Sequence, residues 1–184
     1  MSSNIEYEFR KHILLSLDNI KYHEVDIPDE LKQAIKLLPQ HAELLSKLIK
    51  EKPYDLGVLK NGIWCGIELK NVKDALSFNL NKIANHQIKS LEDCVKKGGL
   101  GWVLVRIKKG LSSGERKRLN TKFYAINTAF ALKIQWISKQ IKAKNFSIPI
   151  EVLREECITI PFDSLSEKYD LDVLWPTRTT KKKV

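Results

Sequence analysis

The stretch that decides the fold is residues 55–72, which read DLGVLKNGIWCGIELKNV. Two runs rich in apolar and β-branched residues flank Asn61-Gly62, and an Asn-Gly pair suits the positive backbone dihedrals of a tight hairpin turn. The stretch therefore predicts two antiparallel strands joined by a tight turn. The strands are predicted at Asp55–Leu59 and Ile63–Val72.

The second predicted strand carries two charged side chains on one face. Side chains alternate along a strand, so Glu68 and Lys70 are neighbours, while Ile67 and Leu69 face the other way. Folding the hairpin brings Asp55 beside Glu68, and two converging carboxylates suit a hard divalent cation such as Mg²⁺. Such a cation can serve phosphodiester hydrolysis, and the Lys70 ammonium could contact the scissile phosphate or orient the attacking water.

The rest of the chain alternates between helical and strand patterns, which predicts an α/β fold. Helical spacing of apolar residues begins near Asn4, and a nearly continuous apolar run at Leu100–Ile107 suggests a strand covered on both faces. Further helices are predicted at Ile5–Leu17, Asp29–Lys50, Asn85–Lys97, Thr128–Lys144, Ile148–Glu155 and Asp163–Tyr169. Further strands are predicted at Phe123–Ile126 and Cys157–Pro161.

The composition favours a polyanionic partner. Lys and Arg number 32 against 22 Asp and Glu, giving a net charge of +10 and a pI near 9.4, which favours DNA, RNA or an anionic membrane. The three cysteines lack Cys-x-x-Cys spacing and are interpreted as small buried residues. Without a long apolar span or the apolar core of a signal peptide, the chain is expected to be cytoplasmic and to have no membrane partner.

A longer series of motifs makes the resemblance to one family specific. From Tyr54 to Ile107 the order is Asp55, the hairpin, Glu68-Leu69-Lys70, Ser77-Phe78-x-Leu80, His86-Gln87-Ile88, and Gly98-Gly99 before an apolar strand. This series resembles the RecU-type Holliday-junction resolvases of the PD-(D/E)xK nuclease superfamily. The resemblance implies a restriction-endonuclease-like fold, a mixed central sheet flanked by helices. It also implies a homodimer that cuts branched or four-way DNA with Mg²⁺, for which Mn²⁺ can substitute.

The resemblance also assigns residues. It implies that Asp55 and Glu68 are metal ligands and that Lys70 is the catalytic lysine. An acid on the first helix completes the family site, and Ile5-Glu6-x-x-Phe9 matches the family pattern better than the register that uses Glu8. Either glutamate could instead be a favourable charge in a first helical turn. Gln87 is a further candidate, either as a catalytic contact to phosphate or water or as a polar helix cap.

Some features depart from the family. Tyr54 stands where the family tends to have a small hydroxyl residue, and the Pro-rich stalk is replaced by the predicted helix at residues 29–50. Two alternatives therefore stay open, a restriction-type or general DNA endonuclease on the same fold and a protein that binds branched DNA without cutting it. A basic domain that contacts membrane or RNA rests on charge alone. Residues 1–176 are expected to form a single nuclease domain, followed by a basic, flexible tail at residues 177–184.

The basic residues outside the motif series suit a DNA partner. Clustered lysines on and beside the predicted helix after Thr128, and a basic run before it, could form a surface that follows a phosphate backbone. A solvated helix face is the alternative. The residues are Arg116, Lys117, Arg118, Lys133, Lys139, Lys142 and Lys144.

Overall fold

A mixed sheet forms the centre of the computed structural model, which describes residues 3–17, 21–24, 53–73, 77–108 and 128–175. Within these residues the sheet has six strands, in the order β1 Lys21–Glu24, β2 Leu56–Lys60, β3 Ile63–Lys73, β5 Leu100–Lys108, β6 Ala129–Lys133 and β8 Ile158–Ile160. Only β3 and β5 run parallel to each other.

Helices flank this sheet, and short strands lie outside it. The α-helices are α1 Ser3–Leu15, α2 Asn85–Lys96, α3 Ile134–Lys142 and α4 Ile150–Glu156, and the short 3₁₀ helices are Leu80–Lys82 and Leu171–Leu174. Strands β4 Ser77–Asn79 and β7 Ser147–Pro149 pair with each other, as do β9 Phe162–Asp163 and β10 Lys168–Tyr169. The prediction of a mixed central sheet flanked by helices is confirmed.

The hairpin between β2 and β3 forms as predicted. Asn61 and Gly62 have φ angles of 54° and 76°, which are the left-handed values that a type I′ turn requires and that Asn and Gly adopt most readily. The turn joins Lys60 to Ile63, and the antiparallel register continues to the pair Leu56 and Ile67.

The central strands are buried on both faces because their side chains alternate between two hydrophobic clusters. On one face, Ile67, Leu69 and Leu104 pack with Phe9 and Ile13 of α1. The opposite face packs against helices α2, α3 and α4, through a cluster that includes Val72, Val103, Val105, Leu91, Ile137 and Leu153. Each fully buried side chain of this kind stabilises the fold by about 1.5–3 kcal/mol. The sheet is therefore a layer between two apolar cores.

Other predicted elements are also confirmed. Helix α1 covers most of the predicted Ile5–Leu17 helix, α2 ends just before Gly98, and β5 coincides with the apolar run that begins at Leu100. Phe78, Cys65 and Cys94 are buried, while Cys157 is half-buried. Among the described residues, no helix has the length and apolar character needed to cross a membrane.

Of the helices predicted near the C-terminal end, one was too long and another was wrong. Residues 129–133 form strand β6, and α3 begins only at Ile134, so the helix predicted from Thr128 is shorter. Ala131 faces the α1 side of the sheet and Phe130 faces the other side. A strand covered on both faces is apolar at successive positions, and its sequence therefore resembles that of a buried helix.

The predicted helix Asp163–Tyr169 is instead the β9–β10 hairpin. The Asp163 carboxylate accepts hydrogen bonds from the backbone amides of Leu165 and Ser166, at 3.0 and 3.3 Å, and so closes the turn. Such local hydrogen bonds compete with helix formation. The helix predicted from Ile148 begins at Ile150, because β7 takes up the preceding residues.

Several sequence predictions lie outside the described residues. These are the helix at residues 29–50, the strand at residues 123–126, the basic residues 116–118 and the tail at residues 177–184.

Candidate active site

The hairpin register places Asp55 opposite Glu68. Successive residue pairs move outward from the turn, so the step beyond Leu56 and Ile67 reaches Asp55 and Glu68. The backbone amide of Asp55 donates to the carbonyl of Ile67 at 3.1 Å, and Oδ2 of Asp55 accepts from the backbone amide of Leu69 at 2.8 Å. Asp55 is therefore held to β3 by both its backbone and its side chain, next to Glu68.

Glu68 is a buried carboxylate whose two oxygens have different surroundings. Only 2% of the residue is exposed. Its Oε1 accepts from Lys70 Nζ at 2.7 Å and from Gln87 Nε2 at 2.6 Å. Its Oε2 is buried and has no hydrogen-bond partner among the described residues. A buried charged oxygen without a partner is costly, which makes it a position where a positively charged ligand would be stabilised.

Gln87 connects this carboxylate to a helix. It lies in the first turn of α2, where its Oε1 accepts from the backbone amide of Ala84 at 3.0 Å and from Lys70 Nζ at 3.3 Å. The sequence left open whether Gln87 is a helix cap or a site residue. In the structure its side chain makes both contacts, one to the backbone at the start of α2 and the others to Lys70 and Glu68. The cap fixes the amide orientation, so that Nε2 points to Glu68 and Oε1 to Lys70.

The electrostatics of the site also favour a cation. Burial, and secondly the nearby Asp55 carboxylate, raise the pKa of Glu68 from its ordinary 4.5 to about 7, against the opposing effects of Lys70 and Gln87. The two carboxylates and the unpaired Oε2 thus form a site short of positive charge. Two carboxylates are a donor set that Mg²⁺ prefers, so these residues fit the cation that the sequence predicted. No group of three or more potential metal ligands occurs within the described part of the chain.

The acid on the first helix stays a prediction. Glu6 is part of α1, and its side chain lies outside the described part of the structure. The alternative, Glu8, has its Oε2 3.7 Å from a guanidinium nitrogen of Arg106. Arg106 is fully buried on the α1 side of the sheet, with its guanidinium 4.9 Å from the ring of Phe9. Glu8 therefore contacts the face of the sheet opposite to Glu68.

Two groups of residues were missed by sequence reasoning. Trp64 and Tyr54 lie beside the site and are hydrogen-bonded to each other, with 3.1 Å between indole Nε1 and phenol oxygen. The sequence could have indicated Trp64, because it lies four residues before Glu68 in the same strand and therefore on the same face. The other is Arg106, whose Nε donates to Asn71 Oδ1 at 2.9 Å. The sequence could have indicated Arg106, because it is a single arginine within the otherwise apolar strand Leu100–Ile107.

The basic residues that the structure describes lie on the surface. Side chains of Lys133, Lys139, Lys142 and Lys144 are all exposed on or beside α3. The arrangement is compatible with contacts to a phosphate backbone and equally with a solvated helix face.

Comparison with known proteins gives two matches. Residues 47–172 match the family described as Recombination protein U. The sequence is also 26% identical, over 119 residues, to a protein of Staphylococcus saprophyticus named Holliday junction resolvase RecU, with 58% of this chain and 57% of that protein covered. The match thus spans little more than half the length of this relative.

Proposed function

The chain belongs to the Recombination protein U family, and from that premise we propose that it is a divalent-metal-dependent endonuclease that resolves Holliday junctions by paired nicks. The observation that carries this proposal is the Glu68 carboxylate, buried opposite Asp55 with one oxygen held by Lys70 and Gln87 and the other unpaired. The net charge of +10 supports a DNA substrate, and the name of the staphylococcal relative supports a four-way junction.

Asp55 and Glu68 would hold the cation, with Glu6 as a third acid from α1. When bound, Mg²⁺ supplies charge stabilisation at the phosphoryl oxygens and an activated water, and Mn²⁺ has the same chemistry. Lys70 would place its ammonium against a phosphate oxygen or the attacking water. Gln87 keeps Lys70 and Glu68 in their relative positions through its capped amide.

The direct test is cleavage of a strand-labelled mobile four-way junction beside linear duplex of the same sequence, with Mg²⁺ and with EDTA. We expect paired, Mg²⁺-dependent nicks on the junction and none on the duplex. Cutting of both substrates would instead identify a restriction-type or general endonuclease on this fold. Tight binding of the junction without cutting would identify a protein that binds branched DNA only.

Paired nicks require two active sites, so we also propose a homodimer. Mixing wild-type chains with an excess of Glu68→Gln chains would then form mixed dimers with one competent site. Such dimers should nick one strand of the junction and leave the second intact, which denaturing and native gels distinguish. If the yield of paired nicks fell only in proportion to the fraction of wild-type chains in the mixture, each chain would act alone and the homodimer proposal would be wrong.

A further inference from the structure

A cleft lies beside the candidate active site, on the same face of the sheet. Its volume is about 500 Å³, and it is lined by Pro53, Tyr54, Trp64, Ser90, Asp93, Cys94, Lys97 and Gly99. It lies between Tyr54 and Trp64 on one side and helix α2 on the other. The volume falls within the range that binds small planar ligands. We infer that this cleft binds an unpaired nucleobase of the DNA, an inference that rests on the proposed function.

One wall of the cleft is an aromatic surface held in a fixed orientation. The indole of Trp64 lies across strand β2, where a Cβ at Gly57 would come within 2.3 Å of the ring. Its Nε1 donates to the hydroxyl of Tyr54. Trp64 nevertheless keeps 38% of its surface exposed. An exposed indole that is already positioned by its neighbours offers a stacking surface that loses little entropy on binding.

The residues that line the cleft are close in sequence to the candidate site residues. Tyr54 directly precedes Asp55, and Trp64 shares a face of β3 with Glu68, four residues away. At about 3.3 Å per strand residue the two lie about 13 Å apart, which is about the axial length of four stacked nucleotides. A strand that presents its phosphate to Asp55 and Glu68 therefore passes this cleft within a few nucleotides.

The polar groups around the cleft suit a nucleotide. Lys97 is exposed at its rim, where its ammonium can approach a phosphate, and the hydroxyl of the half-buried Ser90 can contact a base edge. The acid that lines the cleft, Asp93, is ion-paired with Lys96 at 2.9 Å. In a duplex both faces of a base are covered by its neighbours. A stacking surface on the protein therefore selects bases that are unpaired or splayed, as in single strands or distorted branch points.

The test is a thermodynamic cycle between the indole and single nucleotides of the DNA. Binding would be measured by fluorescence anisotropy in EDTA, with junctions that carry one abasic site at each position within about four nucleotides of the cut. Replacing Trp64 with Leu should weaken binding of the intact junction about tenfold, the usual loss for one stacked base. At one abasic position the wild-type protein should lose about the same tenfold in affinity relative to the intact junction. At that position Trp64→Leu should bind the abasic junction as tightly as it binds the intact one.

Two further variants separate stacking from folding. Trp64→Phe keeps a ring and should recover most of the affinity, while Ser90→Leu fills the cleft from α2 without changing Trp64 and should reproduce the loss. Trp136→Leu, on α3, is the matched control and should show no coupling to any abasic position. If the losses from Trp64→Leu and from the abasic sites add at every position, the cleft does not bind a base.

Failure of this inference and failure of the proposed function give different results. Normal junction cleavage in Mg²⁺ without coupling at any position would overturn only the base-binding cleft. Coupling in a protein that does not cut would support the cleft and overturn the proposed chemistry. A wild-type protein that neither binds nor cuts any of these DNAs would overturn both.

Discussion

Replacing Glu68 with Gln should stabilise the protein while it abolishes cleavage. The variant keeps the shape of the side chain, and its amide oxygen can still accept from Lys70 and Gln87. The raised pKa of Glu68, about 7 instead of 4.5, means that the fold disfavours the charged form. At about 1.4 kcal/mol for each pKa unit, the buried charge costs about 3 kcal/mol at pH values above 7. This cost already includes the attraction from Lys70.

The sign of the pH dependence follows from proton binding. Between pH 4.5 and about 7 the folded wild type binds more protons at Glu68 than the unfolded chain, so its stability falls as pH rises through this window. Glu68→Gln has no such proton. The advantage of the variant should therefore be close to zero at low pH and reach its full value of about 3 kcal/mol above pH 7.

Urea unfolding in EDTA at about pH 5 and about pH 8 measures this difference, with Glu155→Gln as a control at an exposed glutamate. Mg²⁺ should then stabilise the wild type more than the variant, because a ligand stabilises the state that binds it. If Glu68→Gln were less stable than the wild type at pH 8 in EDTA, the carboxylate would not be the electrostatic cost that its burial indicates.

Three further predictions concern the same elements. Asp55→Asn and Lys70→Gln should each lower junction cleavage on the order of 10²-fold or more, with the Kd for the junction in EDTA near the wild-type value; a variant with near-normal cleavage would remove that residue from the site. Gln87→Leu should lower the stability by about 1 kcal/mol, because the helix cap is lost, and thermal unfolding would measure this. The same variant should lower kcat about tenfold with KM unchanged, which steady-state kinetics would measure. Gly62→Val, at a φ of 76°, should cost about 1–2 kcal/mol and leave the cleavage rate unchanged below the unfolding temperature, whereas an equal Tm would show that the turn tolerates the side chain.

The hairpin was predictable because each of its features is local. Asn61-Gly62 sets a two-residue turn, and that turn alone determines which residues pair along both strands. The approach of Asp55 to Glu68 follows from the same register. The alternation of side chains then places Lys70 beside Glu68. Three of the candidate site residues thus needed no knowledge of the remaining chain.

The features that were not predictable depend on distant parts of the chain. Gln87 reaches Glu68 across 19 residues, and periodicity says only that it begins a helix. Strand β6 has the apolar pattern of a buried helix, and only its pairing with β5 and β8 decides otherwise. The acid on α1 was not predictable for the same reason, since helical spacing places glutamates near the sheet without saying which face their carboxylates reach.

Strand β3 shows how the fold can tolerate a buried carboxylate at its centre. Alternation sends Ile67 and Leu69 into one apolar cluster, while Glu68 between them faces the site. Burial of the two apolar side chains stabilises the fold by about 1.5–3 kcal/mol each, which is comparable to the cost of the Glu68 charge. The strand that carries the charge thus also supplies the packing that offsets it. Because both faces of β3 are packed, the strand holds the Glu68 carboxylate at one position opposite Asp55.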